Sequence, residues 1–262
     1  MDTVMSGFDA AASAFDCYRA LPKGVPKAIR TAIWNSVPGQ SSGRVLDLGA
    51  GTGRIGKAFV AANDLYFGVD LSYGMLREFL THTHEMNGHL PCLAQAEGQR
   101  LPFSDGTFAV VMLMQVLSGA RDWRGLLAEA RRVLRAKGAL VVGHSVAPDD
   151  GIDSQLKTRL DSILEEMHVE HHRGRRGRAQ ALASLESASS RKSHVVAASW
   201  KVDRSPRAFL ARHWTGARFS ALPETVQKEA LQKVSAWAET AFGSLDAVSS
   251  EDHNFELDIF EF

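Results

Sequence analysis

The stretch VLDLGAGTGRIG, residues 45–56, decides the fold of this chain. It opens with a short apolar segment that predicts a buried strand, and Gly49, Gly51 and Gly53 follow that strand. Glycine lets the backbone turn tightly and lets a ligand lie against bare main chain. A helix predicted from residue 55 adds unpaired N–H groups at its start. The stretch therefore predicts a strand, a ligand-binding loop and a helix in succession.

Strand and helix patterns alternate on either side of this loop. The run FAVVMLM, residues 108–114, is almost entirely apolar, which is typical of a strand covered on both faces in a parallel sheet. The alternation predicts a doubly wound α/β sheet. The predicted strands are 44–48, 65–69, 89–94, 108–114 and 139–142, and the helices between them are 55–62, 72–81 and 122–135.

The two ends of the chain show other patterns. Two helices are predicted in the first forty residues, at 10–19 and 26–36. The last third predicts a helix at 152–167, a polar loop at 168–178, a strand at 193–202 and helices at 206–218 and 223–242. The chain closes on NFELDIFEF, residues 254–262, where apolar and acidic residues alternate as in a half-exposed strand.

Composition excludes several classes of protein. The chain has 262 residues, 45% of them apolar, and its 30 basic residues balance 30 acidic ones. Zero net charge argues against a nucleic-acid-binding or membrane-surface protein. Cys17 and Cys92 form no disulfide framework or metal-binding spacing, so we expect no metal and a cytoplasmic location. No apolar run is long enough to cross a bilayer, and the first residues lack the basic segment of a signal peptide.

Three ligands could use the glycine loop. Gly51, Gly53 and Gly56 match the dinucleotide fingerprint, with Asp70 about 20 residues further on. The second candidate is a nucleoside triphosphate, because Gly51, Gly56 and Lys57 nearly match the P-loop pattern. Ala58, however, occupies the position of the Ser or Thr whose hydroxyl binds magnesium, which makes that alternative improbable. The third candidate is S-adenosylmethionine.

Several motifs in order favour the third ligand. The D-x-G-x-G-x-G string that starts at Asp47 resembles motif I of the class I S-adenosylmethionine-dependent methyltransferases. The segments GVDLSYGML (68–76), AEGQRLPFSDGTFAVV (96–111), EARRVLRAKGALVV (129–142) and AFDCYR (14–19) resemble later and earlier motifs of the same family. The resemblance covers about residues 10–145 and points to the branch of ubiquinone- and menaquinone-biosynthesis enzymes, methyltransferase type 11.

The resemblance implies a Rossmann-like α/β fold. We expect a seven-stranded, mostly parallel sheet with an antiparallel last strand, helices on both faces and a helical cap. The segment 254–262 fits that reversed strand, which a dehydrogenase Rossmann domain lacks. The whole chain, 1–262, is expected to form one domain. Within it, residues 1–40 are expected to form a helical lid, 41–150 the cofactor-binding core and 203–245 a helical insertion over the acceptor pocket.

The resemblance also implies which residues bind the cofactor. Asp70 closes the second strand, and its carboxylate can accept both ribose hydroxyls. Leu71 and Met75 are expected to flank the adenine, although ordinary helix packing explains Met75 nearly as well. Glu97 stands where the family often has Asp, so it or the backbone of its neighbours contacts the adenine amino group. The glycine loop is expected to contact the methionyl part. The full expected set is Tyr18, Arg19, Asp47, Gly49, Ala50, Gly51, Gly53, Asp70, Leu71, Met75, Ala96, Glu97, Gly98 and Gln115.

Two of these residues have alternative explanations of about equal weight. Asp47 either receives the cofactor's ammonium group or is a buried structural acid bonded to loop N–H groups. Arg19 either pairs with the cofactor's carboxylate, for which the forked guanidinium is suited, or is an exposed helix residue.

The sequence indicates the residues on the acceptor side of the site less clearly. Methyl transfer mainly needs the reactants held in line, so a catalytic residue is not required. Candidates are Gln115, Ser118, His144 and His213; many relatives have His at the position of Ser118. His144 could act as a general base, but a hydrogen-bonded strand residue is the more common explanation. The basic run HHRGRRGR, residues 171–178, is a solvated loop, a site for an anionic acceptor or a mobile flap.

Three functions remain open from the sequence. The favoured one is a methyltransferase that uses S-adenosylmethionine, releases S-adenosylhomocysteine and acts on a small molecule, with no nucleic-acid or membrane partner, as a monomer or homodimer. The second is an NAD-dependent oxidoreductase, which only the glycine spacing and Asp70 support. The third is a non-catalytic module that keeps the fold and binds the cofactor, since a fold does not fix function.

Overall fold

The structure is a computed structural model that describes residues 16, 19–37, 39, 43–84, 90–120, 122–169, 174–213, 219 and 222–262. The helix expected at 10–19 lies mostly outside these residues. The elements named here are, in chain order, α1 (Val25–Ser36), β1 (Val45–Leu48), α2 (Gly56–Ala61), β2 (Tyr66–Asp70), α3 (Tyr73–His84), β3 (Cys92–Gln95), β4 (Phe108–Met114), α4 (Trp123–Val133), β5 (Leu134–Val146), α5 (Ile152–Glu166), α6 (Gly174–Ala188), β6 (Arg191–Arg204), α7 (Pro206–His213), α8 (Glu224–Phe242) and β7 (Ser249–Glu261).

The strands form one seven-stranded sheet in the order β3-β2-β1-β4-β5-β7-β6. The first five strands along the chain pair in parallel. The last strand runs the other way, because its end lies beside the beginnings of its two neighbours. The Lys137 N–H donates to the carbonyl of Phe262 at 3.0 Å, and the Ser190 N–H donates to that of Glu261 at 2.8 Å. The predicted mostly parallel sheet with an antiparallel last strand is confirmed.

Side-chain alternation in the short central strand explains why helices cover both faces of the sheet. Leu46 and Leu48 point to one face and join a buried cluster with side chains of α4 and α6. On the other face, Tyr66 of β2 packs against Phe59 of α2 and Phe79 of α3, with ring centroids 6.1 and 5.8 Å apart. The α/β class predicted from the alternating pattern is therefore confirmed.

Helix α6 was not predicted, and the polar loop expected at 168–178 is wrong from Gly174 onward. The helix buries Ala181 and Leu185, four residues apart, against the cluster that contains α4. The sequence around it is basic and serine-rich, and its few apolar residues do not extend far enough to predict a helix by their spacing. Burial by residues distant in sequence stabilises it.

Strand β5 begins at Leu134, earlier than the expected residue 139. Leu134 pairs with Phe108 at the start of β4, and a register irregularity follows between Phe108 and Val110. The sequence shows the helical spacing of 122–135 but not these long-range pairings. The helix α4 consequently ends at Val133, two residues before the expected boundary.

The described residues divide into two compact units. The first unit lies within Met1–His144, Arg173–Ala198 and Phe255–Phe262, and the second lies within Ser145–His172 and Ser199–Asn254. The second unit packs apolar side chains of α5 against those of α8. Its residues include most of the insertion expected at 203–245, whose role over an acceptor pocket stays a prediction, as do the other expected domain boundaries. No helix in the described ranges is long and apolar enough to cross a membrane.

Candidate functional site

The glycine loop lies at the carboxyl edge of the sheet, after β1. Gly49, Gly51 and Gly53 have φ values of +82°, +54° and +75°, a region that side-chain-bearing residues rarely occupy. A Cβ on Gly49 would lie 2.5 Å from a methyl of Val116, and one on Gly53 would lie 2.2 Å from the Phe79 ring. A Cβ on Gly51 would meet no atom of the described residues within 4 Å. Within that part of the chain Gly51 leaves space beside its main chain, whereas the other two glycines are also required by packing.

The Asp70 carboxylate lies directly against this loop. Strands β1 and β2 are parallel neighbours, so the residues after each strand meet at the same edge of the sheet. The Gly51 N–H donates to Oδ2 of Asp70 at 2.9 Å, and the Ser72 N–H donates to Oδ1 at 2.8 Å. A carboxylate offers about four lone-pair sites, more than these two hydrogen bonds use, so the group is suited to accept from a ligand's hydroxyls.

Asp47 is a buried acid beneath the loop. Its Oδ2 accepts a 2.9 Å hydrogen bond from the Tyr66 hydroxyl, while its Oδ1 has no hydrogen-bond partner among the described residues. Burial raises the pKa of Asp47 to about 7, and the nearby Asp70 charge adds to the rise. The structure thus contains a buried carboxyl with one unsatisfied oxygen two residues before Gly49. The sequence did not single out Tyr66.

A second group of polar contacts joins the loop to its surroundings. Arg54 donates to the carbonyl of Arg19 at 2.6 Å and to Oε1 of Gln115. The Thr52 hydroxyl donates to Asp16 at 2.5 Å. Burial, and secondly the neighbouring Arg19 charge, lowers the pKa of Arg54 to about 10, and the group remains charged at neutral pH. Arg54 therefore links Arg19 and Gln115, two residues predicted to bind the cofactor. Arg54 was not among the predicted site residues, although a charged residue within a glycine loop could have indicated it.

The segment after β3 lies next to Asp70. The Ala96 N–H donates to the carbonyl of Asp70 at 3.1 Å. Glu97 is exposed. A Cβ on Gly98 would lie 2.4 Å from Leu126, so this glycine is required by packing. Leu71, on the other side of this edge, is 43% exposed and open to a ligand.

Three expected cofactor or acceptor residues have less direct support. Met75 is buried at 3% exposure, and its N–H donates to the Ser72 hydroxyl at 3.2 Å, which favours ordinary helix packing. Tyr18 lies outside the described residues, as does the side chain of His213.

Gln115 and Ser118 follow β4 at the same edge of the sheet. Gln115 has a φ of +62°, and its N–H donates to the carbonyl of Gly143 at 2.8 Å, which fixes the strand end. Ser118 is half-buried in the turn that follows. Their position after a central parallel strand is where ligands bind in open α/β sheets.

His144 lies in a cluster of ionisable side chains from β5, α6, β6 and β7. The Arg178 guanidinium lies 2.8 Å from its Nδ1 and 3.6 Å from a carboxylate oxygen of Asp258, and His194 lies 3.1 Å from the other oxygen of Asp258. Burial and the Arg178 charge lower the pKa of His144 to about 4. His144 is therefore neutral at pH 7 and faces a cation, which favours a hydrogen-bonded strand residue over a general base. Arg178, the last residue of the basic run, is held in this cluster.

Comparison with known proteins finds a family match around the loop. Residues 46–142 match the family model described as "Methyltransferase domain". The chain is 32% identical over 157 residues to a demethylmenaquinone methyltransferase of Parafrankia sp. (strain EAN1pec), covering 54% of this chain and 62% of the relative. The chain thus spans less than two thirds of that relative's length.

Solved structures share the fold over nearly the whole chain. The YcgJ protein from Bacillus subtilis superposes with a TM-score of 0.59 at 18% identity, covering 90% of this chain and 98% of that one. The phosphoethanolamine N-methyltransferase 2 of Haemonchus contortus, crystallised with phosphomonomethylethanolamine and S-adenosylhomocysteine, gives a TM-score of 0.52 at 14% identity, covering 97% of this chain and 57% of that one. Residues 46–142 thus match a methyltransferase domain, and the chain has the fold of the solved class I methyltransferases.

Proposed function

We propose that this protein is an S-adenosylmethionine-dependent methyltransferase that acts on a small-molecule acceptor. The observation that carries the proposal is the Asp70 carboxylate, 2.9 Å from the open main chain of Gly51 at the carboxyl edge of the sheet. The residues present fit the cofactor. Gly51 leaves space where a side chain would otherwise lie, Asp70 can accept from a sugar diol, and the unsatisfied Oδ1 of Asp47 is suited to an ammonium group.

Each residue at this edge then has a specific role in the proposed site. Asp70 accepts the ribose hydroxyls, and the loop of Gly49, Ala50, Gly51 and Gly53 lies along the methionyl part. Leu71 covers one side of the adenine, and the segment from Ala96 to Gly98 contacts its polar edge. Gln115 and Arg19, linked through Arg54, close the methionyl end. Tyr18 and Met75 stay predicted contacts.

The chemistry needs little from the protein beyond placement. The bound cofactor supplies an electrophilic methyl group on a sulfonium. The chain's residues bind and orient the reactants, so that proximity provides most of the rate increase. Gln115 and Ser118 follow β4 at the edge where the acceptor is expected, and neither is an effective base at neutral pH. Acceptors that are nucleophilic without losing a proton, such as neutral amines, suit this arrangement.

The names of the relatives support a small-molecule acceptor. Their names indicate action on demethylmenaquinone and on phosphoethanolamine, both small molecules. The NAD-dependent alternative is unsupported, since the family match is to methyltransferases and the reversed β7 is absent from dehydrogenase Rossmann domains. The cytoplasmic location and the oligomeric state stay predictions.

Thermal unfolding with candidate ligands tests the proposal. We expect S-adenosylhomocysteine to raise the melting temperature, because a ligand that binds only the folded state stabilises it. The rise should be lost in Asp70→Ala, and NAD should give none. A rise with NAD alone would overturn the proposal. Incubation with methyl-labelled cofactor and a metabolite extract then separates an enzyme from a non-catalytic module, because only an enzyme labels an extract component.

A further inference from the structure

The first strand pair places a tyrosine beside the buried acid of the loop. In the parallel register Val45 pairs with Tyr66, and Asp47 pairs with Gly68, so Tyr66 and Asp47 share one face of the sheet. The Tyr66 hydroxyl donates to Oδ2 of Asp47 at 2.9 Å. Tyr66 is only 4% exposed, so its position is fixed by packing as well as by this hydrogen bond.

Two glycines make room for this hydroxyl. A Cβ on Gly56 would lie 2.3 Å from the Tyr66 oxygen, and one on Gly68 would lie 3.2 Å from it and 2.9 Å from Ala50. Gly56 is the first residue of α2, the helix that follows the loop. The loop, the helix start and the strand therefore meet around the Tyr66–Asp47 pair, and larger residues at either glycine would displace it.

The surroundings of Asp47 make its protonation sensitive to this contact. Among the described residues, the titratable groups that act on Asp47 are Tyr66 and Asp70, and the rings of Phe59 and Phe79 pack against the Tyr66 ring. Burial raises the pKa of Asp47 to about 7, whereas the Tyr66 hydrogen bond opposes the rise. Asp47 therefore changes charge in the neutral range, with one oxygen held and the other unsatisfied.

We propose that Tyr66 is a positioning residue that acts through Asp47, holding one carboxyl oxygen so that the other receives the amino group of the cofactor as a carboxylate. The inference rests on the proposed function. When the cofactor binds to protein whose Asp47 is protonated, the carboxyl O–H bond breaks, its electron pair stays on the oxygen and the proton goes to solvent. Binding is consequently weaker at acidic pH.

Calorimetric titration with S-adenosylhomocysteine between pH 6 and 8 tests this coupling. We expect the wild-type affinity to rise about tenfold across this range, as an acid with a midpoint near 7 ionises. In Tyr66→Phe the midpoint should move upward by about one pH unit, because the carboxylate loses a hydrogen bond. Tyr73→Phe, which removes an exposed hydroxyl, is the matched control and should behave as wild type.

The outcomes separate this inference from the proposed function. An affinity that is independent of pH, or a midpoint that Tyr66→Phe leaves in place, overturns the inference while the cofactor site stands. Absence of binding at every pH overturns the proposed function and the coupling together. The two results differ in the calorimetric titration itself, because the first still shows heat of binding and the second shows none.

If Tyr66→Phe folds poorly, the pH dependence of stability without ligand provides a second test. The pKa of Asp47 is raised in the folded state, so the folded protein holds more protons and its stability should fall as pH rises from about 4 to 7. Urea unfolding should show this fall in wild type and its loss in Asp47→Asn, which keeps the shape of the side chain. Equal pH dependence in the two proteins would show that Asp47 does not titrate there and would overturn the inference.

Discussion

Alanine at Gly51 and alanine at Gly53 should separate the ligand-binding role of the loop from its structural role. Both glycines have positive φ, so alanine at either position costs about 1 kcal/mol of backbone strain. At Gly53 the new Cβ would lie 2.2–2.6 Å from atoms of the Phe79 ring, which is fully buried. Moving a buried ring costs a further ~1–3 kcal/mol. Gly53→Ala should therefore lose about 2–4 kcal/mol of stability in total.

Gly51→Ala should lose little stability but much of the affinity for the cofactor. Its Cβ would meet no atom of the described residues within 4 Å, so the free energy of unfolding should fall only by the strain of about 1 kcal/mol. The methyl group would, however, fill the space against which the cofactor is proposed to lie. We expect at least about a tenfold loss of affinity for S-adenosylhomocysteine, equal to 1.4 kcal/mol or more.

Urea denaturation and calorimetric titration of both variants measure the two effects. Gly106→Ala is the control, because Gly106 also has positive φ and precedes β4 at the other edge of the sheet. Among the described residues, its added Cβ would lie no nearer than 3.9 Å to a neighbour, Cα of Arg135. It should lose about 1 kcal/mol of stability and bind as wild type. Wild-type affinity in Gly51→Ala, or a stability of Gly53→Ala equal to that of the control, would refute the reasoning from loop geometry.

Three further variants test other contacts. Asp70→Asn should bind S-adenosylhomocysteine about 10–100-fold more weakly by calorimetry, since hydrogen bonds to a charged acceptor are lost, and an unchanged affinity would exclude Asp70 from the site. Asp64→Ala should reduce the free energy of urea unfolding by about 2 kcal/mol without affecting binding, because Asp64 accepts from Arg30 at 2.5 and 2.7 Å and from Trp34; a stability equal to wild type would contradict this. Arg178→Ala should raise the pKa of His144 from about 4, because a neighbouring positive charge is removed, and NMR titration showing no rise would contradict the assigned cluster.

Local patterns in the sequence were sufficient for the central part of the fold. The apolar run at 108–114 matches β4 at both ends, and the loop glycines have the positive φ values that their spacing suggested. Asp70 lies at the end of β2 beside the loop because parallel neighbours end at one edge. These features depend on residues close in sequence or on the regular geometry of a parallel sheet.

Features that depend on distant residues were not predictable in the same way. The Tyr66–Asp47 bond joins residues 19 apart, and the Arg54–Gln115 bond joins residues 61 apart. No nearby sequence pattern indicates either pair. A tyrosine in a strand or an arginine in a loop usually has only a structural role, so neither residue type points to a partner. Helix α6 depends likewise on burial of Leu185 against α4, to which no nearby sequence pattern points.

A crystal structure of the protein with S-adenosylhomocysteine tests the central claim most directly. The account predicts both ribose hydroxyls at about 2.5–3.0 Å from the carboxylate of Asp70, with the amino-acid tail along Gly49 to Gly53. A complex in which the ligand lies elsewhere, or in which the ribose is out of reach of Asp70, would contradict it.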